Sequence, residues 1–178
     1  MRGWIRHLVS RGRQRRPMES RINKIIQLPD GSVKKQAGPA FKRGGRTYDP
    51  VWLLQREKQF LQDLDGRCAP RLIAEGADWI VMEYCGAELN ASNVPQDWRS
   101  QVDAIVGTLS DAQIIHRDIK PGNLLVRDGR LFLIDFGWAI RSGEPPFTSP
   151  RELIPDVPVQ SIYDNRVALE SLIRSFLQ

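Results

Sequence analysis

The sequence predicts an α+β fold, with a strand-rich first half that contains one helix and a largely helical second half that contains one hairpin. Two Asp-Gly turn signals, at 30–31 and 128–129, each separate short apolar segments, as in β-hairpins. Apolar residues recur at helical spacing in two longer segments. With 178 residues, of which 41% are hydrophobic, the chain is long enough for one domain or for two small lobes that share a cleft.

The first half is predicted to be a sheet with one helix. Asp49 and Pro50 are typical of an N-cap and a first helical residue, and Gly66 follows the last apolar position of that helix. The segment 37–47 is rich in glycine and basic residues, which indicates a loop. The predicted elements are, in order, strand 22–28, strand 32–36, loop 37–47, helix 49–64, strand 71–74 and strand 79–84.

The second half is predicted to begin with a long helix that runs from Asp97 toward residue 114, because its apolar residues share one face. Strands 124–126 and 131–134 then flank the second Asp-Gly turn. Prolines interrupt the stretch 144–158, and a last helix is predicted at 161–176.

Glu57 is an anomaly in the first helix, because it lies on the apolar stripe between Leu53 and Leu61. A buried carboxylate is costly unless it is paired, so a cationic partner is expected from the sheet. Lys34 and Lys35 are the candidates, and period-two alternation favours Lys35 because it lies on the aliphatic face of its strand. The alternative is that Glu57 is a boundary residue at the edge of the stripe.

Polar residues collect between the apolar segments of 114–137. Asp118 and Asn123 are five residues apart across a loop, and Asp135 follows a short apolar strand. This set suits two oxygen ligands for Mg²⁺, bound jointly with phosphates, and one carboxylate free to meet a hydroxyl proton. Lys120, two residues past Asp118, can neutralise charge on a phosphoryl group during transfer.

These motifs resemble those of the eukaryotic-type protein kinases. "HRDIKPGN" at 116–123 is similar to their catalytic loop and "DFG" at 135–137 to their metal-binding triplet, in the expected order and with a hairpin between them. "REKQFLQDL" resembles the first-lobe helix, and "IVMEYCGAEL" the fifth strand and hinge. The resemblance implies a bilobal fold, with a basic arm at 1–20, a small strand-rich lobe at 21–85 and a shortened helical lobe at 86–178.

The resemblance also implies a role for each catalytic-loop residue in this sequence. Asp118 would orient and deprotonate an acceptor hydroxyl, and Lys120 would contact the transferring phosphoryl group. Asn123 and Asp135 would hold Mg²⁺ and, through it, the phosphates of ATP.

The remaining nucleotide contacts would come from the first lobe. Lys35, fixed by Glu57, would hold the α and β phosphates, and the backbone from Glu83 to Cys85 would meet adenine. His116 would support the loop.

Two further residues of the motif region have alternative interpretations. Arg117 is either a docking point for an activation-loop phosphate or a plain surface or packing arginine. Asp164 either braces the catalytic loop from the last helix or is an ordinary acid at the start of that helix.

The chain departs from the kinase pattern in two respects. No G-x-G-x-x-G precedes the lysine strand, and the stretch after Gly137 is too short for the usual helical lobe. A shortened lobe is similar to that of bacterial lipopolysaccharide kinases and of the small kinase of the tRNA threonylcarbamoyl complex. The expected activity is transfer of the γ-phosphate of Mg-ATP to an alcohol, either Ser/Thr of a protein or a sugar of a lipid-linked glycan; the alternative is a pseudokinase scaffold.

The positive charge of the chain, formally +5, is concentrated in residues 1–21. This arm is interpreted as a disordered tail, as an arginine-rich phosphate cover, or, through residues 1–16, as a weak contact with an anionic membrane surface. Nucleic-acid binding is not expected, because no aromatic residues alternate with the basic ones. Cysteine spacing and the absence of a long apolar run predict a cytoplasmic protein, with peripheral contact at the inner membrane as a further option.

Overall fold

A computed structural model describes residues 22–148, 152, 154 and 157–178 of the chain. The predicted arm at 1–20 therefore lies outside the described residues, and the predicted lobe boundaries stay predictions. The strands are β1 Asn23–Gln27, β2 Val33–Ala37, β3 Phe41–Arg43, β4 Arg46–Tyr48, β5 Leu72–Glu75, β6 Trp79–Met82, β7 Ala87–Glu88, β8 Ile114–Ile115, β9 Leu124–Arg127, β10 Arg130–Leu133 and β11 Ile140–Arg141. The helices are α1 Pro50–Leu64, α2 Trp98–Asp111, α3 Gln160–Tyr163 and α4 Asn165–Arg174, with 3₁₀ turns at Pro121–Asn123 and Phe136–Trp138.

The mixed α+β fold predicted from the sequence is confirmed. A four-stranded antiparallel sheet has the order β1-β2-β6-β5, and a second sheet has the order β10-β9-β7. Both hairpins predicted from Asp-Gly signals are present, as β1–β2 and β9–β10. The register places Lys35 opposite Ile80 in the centre of the first sheet.

The start of α1 follows from its first two residues. The side chain of Asp49 accepts a hydrogen bond of 2.9 Å from the backbone nitrogen of Val51, and Pro50 occupies the first turn, where no amide donor is needed. The helix ends at Asp65, which adopts a left-handed conformation. Its buried face includes Glu57 among leucines and Phe60, so the predicted anomaly lies inside the protein.

The prediction of a plain loop at 37–47 was wrong. Strands β3 and β4 pair there around Gly44 and Gly45, both of which have positive φ angles. The hairpin was missed because its strands have three residues each and half of these residues are basic, so the strands show no apolar alternation of their own. The Phe41 and Tyr48 rings stack at 5.3 Å, and Tyr48 also packs edge-on against Trp138 at 5.2 Å, so the hairpin is held by tertiary contacts.

The single terminal helix predicted at 161–176 is divided into α3 and α4. Asp164 between them is extended, and its side chain accepts hydrogen bonds from the backbone nitrogens of Arg166 and Val167. An N-cap requires non-helical backbone, so capping α4 ends α3.

One hydrophobic core joins α1, the first sheet, α2, the β9–β10 hairpin and α4. Gly86, at the point where the chain leaves the first sheet, shows how closely the two halves approach. It has a φ of 95°, and a Cβ there would lie 2.0 Å from the carbonyl oxygen of Val126. In the part of the chain that the structure describes, no helix is both long and apolar enough to cross a bilayer.

Candidate active site

The charged centre of the molecule is formed by Lys35 and two carboxylates. Nζ of Lys35 lies 2.6 Å from Oε2 of Glu57 and 2.7 Å from Oδ1 of Asp135. Strand β2, helix α1 and the turn after β10 each contribute one of these residues. The alternative lysine, Lys34, is on the opposite face of β2, where its Nζ lies 4.9 Å from the centroid of the Trp79 ring. The structure therefore pairs Glu57 with Lys35.

The environment shifts the titration of all three groups. Burial by itself would lower the pKa of Lys35, but Asp135 and Glu57 together raise that pKa above its ordinary value. Burial raises the pKa of Glu57, although Lys35 opposes it. Burial would also raise the pKa of Asp135, but the ammonium of Lys35 offsets this and lowers it. Two carboxylates share one ammonium, so when both are ionised the centre has an excess negative charge.

The catalytic-loop residues form a second cluster. Oδ2 of Asp118 accepts hydrogen bonds from Nζ of Lys120 at 2.5 Å and from Nδ2 of Asn123 at 3.0 Å. Nδ2 of Asn123 also donates to the backbone oxygen of Asp118, so the amide closes the loop on itself. Asp118 and Asn123 are each 5% exposed, whereas the side chain of Lys120 is 47% exposed. The lysine can therefore leave the carboxylate without unfolding the loop.

His116 supports this loop from inside the protein. Its Nδ1 accepts a hydrogen bond from the backbone nitrogen of Asp118, and its Nε2 donates to the backbone oxygen of Ile134. Burial lowers the pKa of His116 to about 4, which keeps the ring neutral and compatible with both bonds. The imidazole thus ties the catalytic loop to the strand that leads into Asp135.

The turn after β10 holds Asp135 in a left-handed conformation with a φ of 66°. Phe136 is fully buried and packs edge-on against His116 at 4.6 Å. Gly137 is not needed for a left-handed conformation in this turn, because the positive φ belongs to Asp135. Gly137 is needed for a different reason: a Cβ there would lie 3.3 Å from the backbone oxygen of Leu53 on α1.

Asn123 and Asp135 have the donor chemistry for a divalent cation. Nδ2 of Asn123 is used within the loop, which leaves its carbonyl oxygen as an acceptor, and one oxygen of Asp135 faces Lys35 while the side chain stays 33% exposed. The backbone oxygen of Asn123 accepts from Ile134, which brings the two residues to adjacent strand ends. Among the described residues no cluster of three His, Cys, Asp or Glu forms a dedicated cage. Such sparse oxygen donors fit Mg²⁺ that keeps water and phosphate ligands.

The predicted hinge lies against the β9–β10 hairpin. Arg127 donates to the backbone oxygen of Tyr84 and forms a 2.6 Å ion pair with Glu83. The backbone nitrogen of Glu83 donates to the oxygen of Arg71, and Cys85 is buried. The backbone of this segment is thus fixed by its surroundings, and adenine contact from Glu83 to Cys85 stays a prediction.

Arg117 matches neither interpretation fully. It is 1% exposed, has a φ of 64°, and forms an ion pair with Glu152. Its Nη2 also donates to the backbone oxygen of Phe147 at 2.6 Å. It is therefore a buried arginine that already has a carboxylate partner.

Of the two interpretations of Asp164, the structure agrees with an acid at the start of the last helix, and the brace comes from the next residue. Asp164 is the N-cap of α4, whereas Oδ1 of Asn165 accepts from the backbone nitrogen of His116 at 3.0 Å. Nδ2 of Asn165 donates to the backbone oxygen of Ile114 at 2.7 Å. An amide makes both bonds at once, which a carboxylate cannot do. The sequence carries no signal that distinguishes the two neighbours.

Sequence reasoning also missed the contacts of Arg56, which lies off the apolar stripe of α1. Its Nη2 donates to the backbone oxygen of Ala139 at 2.8 Å and pairs with Glu144 at 3.1 Å. The guanidinium lies 4.9 Å from the ring centroid of Phe147. These contacts tie α1, and with it Glu57, to the segment after Asp135. The partners are more than 80 residues apart in sequence, so no local pattern could indicate them.

Comparison with known proteins agrees with this geometry. The family model of the RIO domain matches residues 34–153. The serine/threonine-protein kinase kin-29 of Caenorhabditis briggsae is 28% identical over 126 residues, which cover 57% of this chain and 16% of that protein. The serine/threonine-protein kinase PknK of Mycobacterium tuberculosis (strain ATCC 25618 / H37Rv) is 34% identical over 104 residues, which cover 46% of this chain and 9% of that protein.

A third relative is the probable bifunctional tRNA threonylcarbamoyladenosine biosynthesis protein of Methanoculleus marisnigri. It is 44% identical over 69 residues, which cover 38% of this chain and 13% of that protein. The chain thus spans less than a fifth of the length of each of these three relatives. The likeness to lipopolysaccharide kinases stays a prediction. The matched domain contains Lys35, the catalytic loop and Asp135, and the chain belongs to the RIO domain family within the eukaryotic-type protein kinase superfamily.

Proposed function

We propose that this protein transfers the γ-phosphate of Mg-ATP to a hydroxyl group. The observation that carries the proposal is the pairing of Lys35 with both Glu57 and Asp135, beside a loop in which Asp118 is bonded to Lys120 and Asn123. In-line phosphoryl transfer needs positioning and charge compensation rather than covalent chemistry. The six side chains named here supply both the positioning and the charge compensation.

Each residue has a proposed task. Asp118 orients the acceptor hydroxyl and takes up its proton, because its carboxylate is held by Asn123 and by a lysine that is free to move. Lys120, whose side chain is 47% exposed, then contacts the phosphoryl group during transfer and neutralises its charge. Lys35 holds the α and β phosphates while Glu57 keeps its ammonium in place.

Asn123 and Asp135 are the proposed ligands of the divalent cation. When bound, Mg²⁺ supplies neutralisation of the phosphate oxygens. Asp135 is well suited to this because its lowered pKa keeps it ionised, and because Lys35 leaves one of its oxygens unused. The excess negative charge of the centre favours a cation there over solvent.

A Ser or Thr side chain is the acceptor that we place first. The loop spelling "HRDIKPGN" is typical of serine/threonine kinases, and two of the relatives named above are serine/threonine-protein kinases. A sugar hydroxyl is the alternative acceptor. A scaffold without turnover is less favoured, because the polar residues that transfer needs are all present and mutually bonded.

The test is transfer of radiolabelled γ-phosphate from Mg-ATP to three separate acceptors: the protein itself, a generic basic protein and dephosphorylated lipopolysaccharide core. Asp118→Asn should lower transfer by about 10²- to 10⁴-fold while ATP binding is retained. Asp128→Asn, in the exposed β9–β10 turn, is the matched control and should leave transfer unchanged. Transfer that is equal in wild type and Asp118→Asn would contradict the proposal, and the labelled acceptor would distinguish protein from glycan.

A further inference from the structure

The segment that follows the Asp135 turn packs against Arg117 of the loop 116–123. The Arg117 guanidinium is surrounded by hydrogen-bond acceptors. They are the backbone oxygens of Trp138 and Phe147, the hydroxyl of Tyr163 on α3, and the carboxylate of Glu152. The Phe147 ring centroid lies 5.2 Å from the guanidinium carbon. Tyr163 also donates to Oε1 of Glu152 at 3.1 Å, so the carboxylate is itself held in place.

The backbone of Arg117 makes this enclosure relevant to Asp118. Its φ of 64° is in the left-handed region, which is unfavourable for a residue with a long side chain. This conformation turns the chain so that the backbone nitrogen of Asp118 faces Nδ1 of His116. A strained conformation persists only when surrounding contacts hold it, and the buried side chain of Arg117 is such a contact.

Glu152 differs from the other three acceptors of Arg117 because it carries a negative charge. Arg117 is 1% exposed, and a buried positive charge needs a negative partner inside the protein. Glu144, another acid of this segment, is paired with Arg56. Within the part of the chain that the structure describes, Glu152 is the carboxylate that forms an ion pair with Arg117.

We propose that Glu152 is a positioning residue for phosphoryl transfer: through Arg117 it fixes the backbone that orients Asp118. The inference rests on the proposed function. A carboxylate that belongs to the sequence itself, and not an added phosphoryl group, neutralises Arg117. The loop then needs no phosphoryl group on the following segment to become ordered. Among the described residues, the partners of Glu152 are Arg117 and Tyr163 and not the proposed nucleotide contacts, so its effect is expected on turnover and not on ATP binding.

The experiment compares Glu152→Gln, which removes the charge and keeps the shape, with Glu152→Asp, which keeps the charge. Glu170→Gln is the matched control, because Glu170 is a similarly exposed carboxylate that pairs with Arg166 and Arg174 on α4. Two kinds of measurement are made for each variant. The first is kcat and KM for ATP, expressed per ATP-binding molecule, and the second is amide hydrogen exchange of the peptide that covers 115–124.

Glu152→Gln should lower kcat by about 10- to 100-fold with KM for ATP unchanged within about twofold, because a displaced loop affects the reaction and not the nucleotide. Exchange in 115–124 should become faster, and α1 should keep its protection. Glu152→Asp should recover a large part of both effects, and Glu170→Gln should show neither.

Unchanged exchange in 115–124 of Glu152→Gln would overturn the inference, whether or not the wild type transfers phosphate. Equal losses of kcat in Glu152→Gln and Glu170→Gln would also overturn it, since they would indicate general destabilisation. If exchange responds as expected but the wild type transfers phosphate to no acceptor, the proposed function fails while the dependence of the loop on Glu152 stands.

Discussion

Two ion-pair networks of similar composition lie in different parts of this molecule. In the cleft, Lys35 bridges Glu57 and Asp135, and the lysine and glutamate side chains are 6% and 2% exposed. On the surface between α2 and α4, Arg166 pairs with Asp103 and Glu170, and the side chains of these three residues are 30% to 64% exposed. The first network therefore has to be satisfied by protein groups, whereas water can satisfy the second.

The difference is one of local dielectric. Removing one partner from a buried network leaves a charge that neither protein nor solvent stabilises, while an exposed pair loses only a screened attraction. The same environment that makes the cleft network costly to disturb also raises the pKa of Lys35 and lowers that of Asp135. We expect mutations to separate the two regions by an order of magnitude in free energy.

The largest expected effect is that of Lys35→Met, which leaves Glu57 and Asp135 facing each other. We expect the free energy of unfolding to fall by about 3 kcal/mol, at the low end for a buried pair because Asp135 is partly exposed. Lys34→Met is the matched control on the same strand and should cost only about 0.5 kcal/mol, the value of a cation–π contact that water still reaches. Urea unfolding of both variants would measure this, and equal losses would mean that burial does not distinguish the two lysines.

Acidification should reveal the second effect, at His116. Its pKa is about 4 in the folded protein and near 6.5 in the unfolded chain, so below pH 6.5 the unfolded state takes up a proton that the native state does not. Stability should therefore be constant for this group above pH 6.5 and fall by about 3 kcal/mol as the pH decreases to 4. Exposed groups of the α2–α4 surface should add little to this change.

The measurement is urea unfolding between pH 7 and pH 4 for wild type and for His116→Gln, which cannot titrate. Glu57 acts in the opposite direction, because its raised pKa costs stability as the pH increases, so only the difference between the two proteins is informative. Identical pH dependence in both would contradict the assignment to His116.

A smaller effect is expected from glycine replacement, with opposite signs in the two regions. In Gly137→Ala the new Cβ would press on the backbone oxygen of Leu53 at 3.3 Å, which should destabilise the protein by about 1–2 kcal/mol and displace α1. In Gly107→Ala the Cβ would meet nothing within 4 Å on α2, so the higher helix propensity of alanine should stabilise by about 0.5–1 kcal/mol. Thermal unfolding of both variants tests this, and a loss for Gly107→Ala would show that α2 is less open than the structure indicates.

The smallest expected effect is that of Arg174→Gln on α4. Its guanidinium pairs with Glu170 at 2.8 Å across one helical turn, and its side chain is 60% exposed. The free energy of unfolding should change by about 0.3 kcal/mol, and the change should disappear in high salt. A loss as large as that of Lys35→Met would remove the distinction between the two networks.

Local sequence signals were sufficient for most elements of secondary structure. The two Asp-Gly turns, the Asp49–Pro50 helix start and the periodicity of α1 and α2 each act over a few residues, and the structure agrees with them. The β3–β4 hairpin was missed because Tyr48 is held by Trp138, 90 residues further along the chain. The break between α3 and α4 was missed because Asp164 lies on a stretch that also reads as helix.

The sequence by itself determined the fold class, the glutamate that needs a cation, and the order of the catalytic-loop and metal-binding motifs. Only the tertiary structure decided that Lys35 bridges two carboxylates, that Asn165 rather than Asp164 braces the loop, and that Arg117 is neutralised by Glu152. The physical reason is range. Turns, caps and periodicity depend on neighbours within one or two helical turns, whereas the partner of a buried charge is set by which distant segments the core brings together.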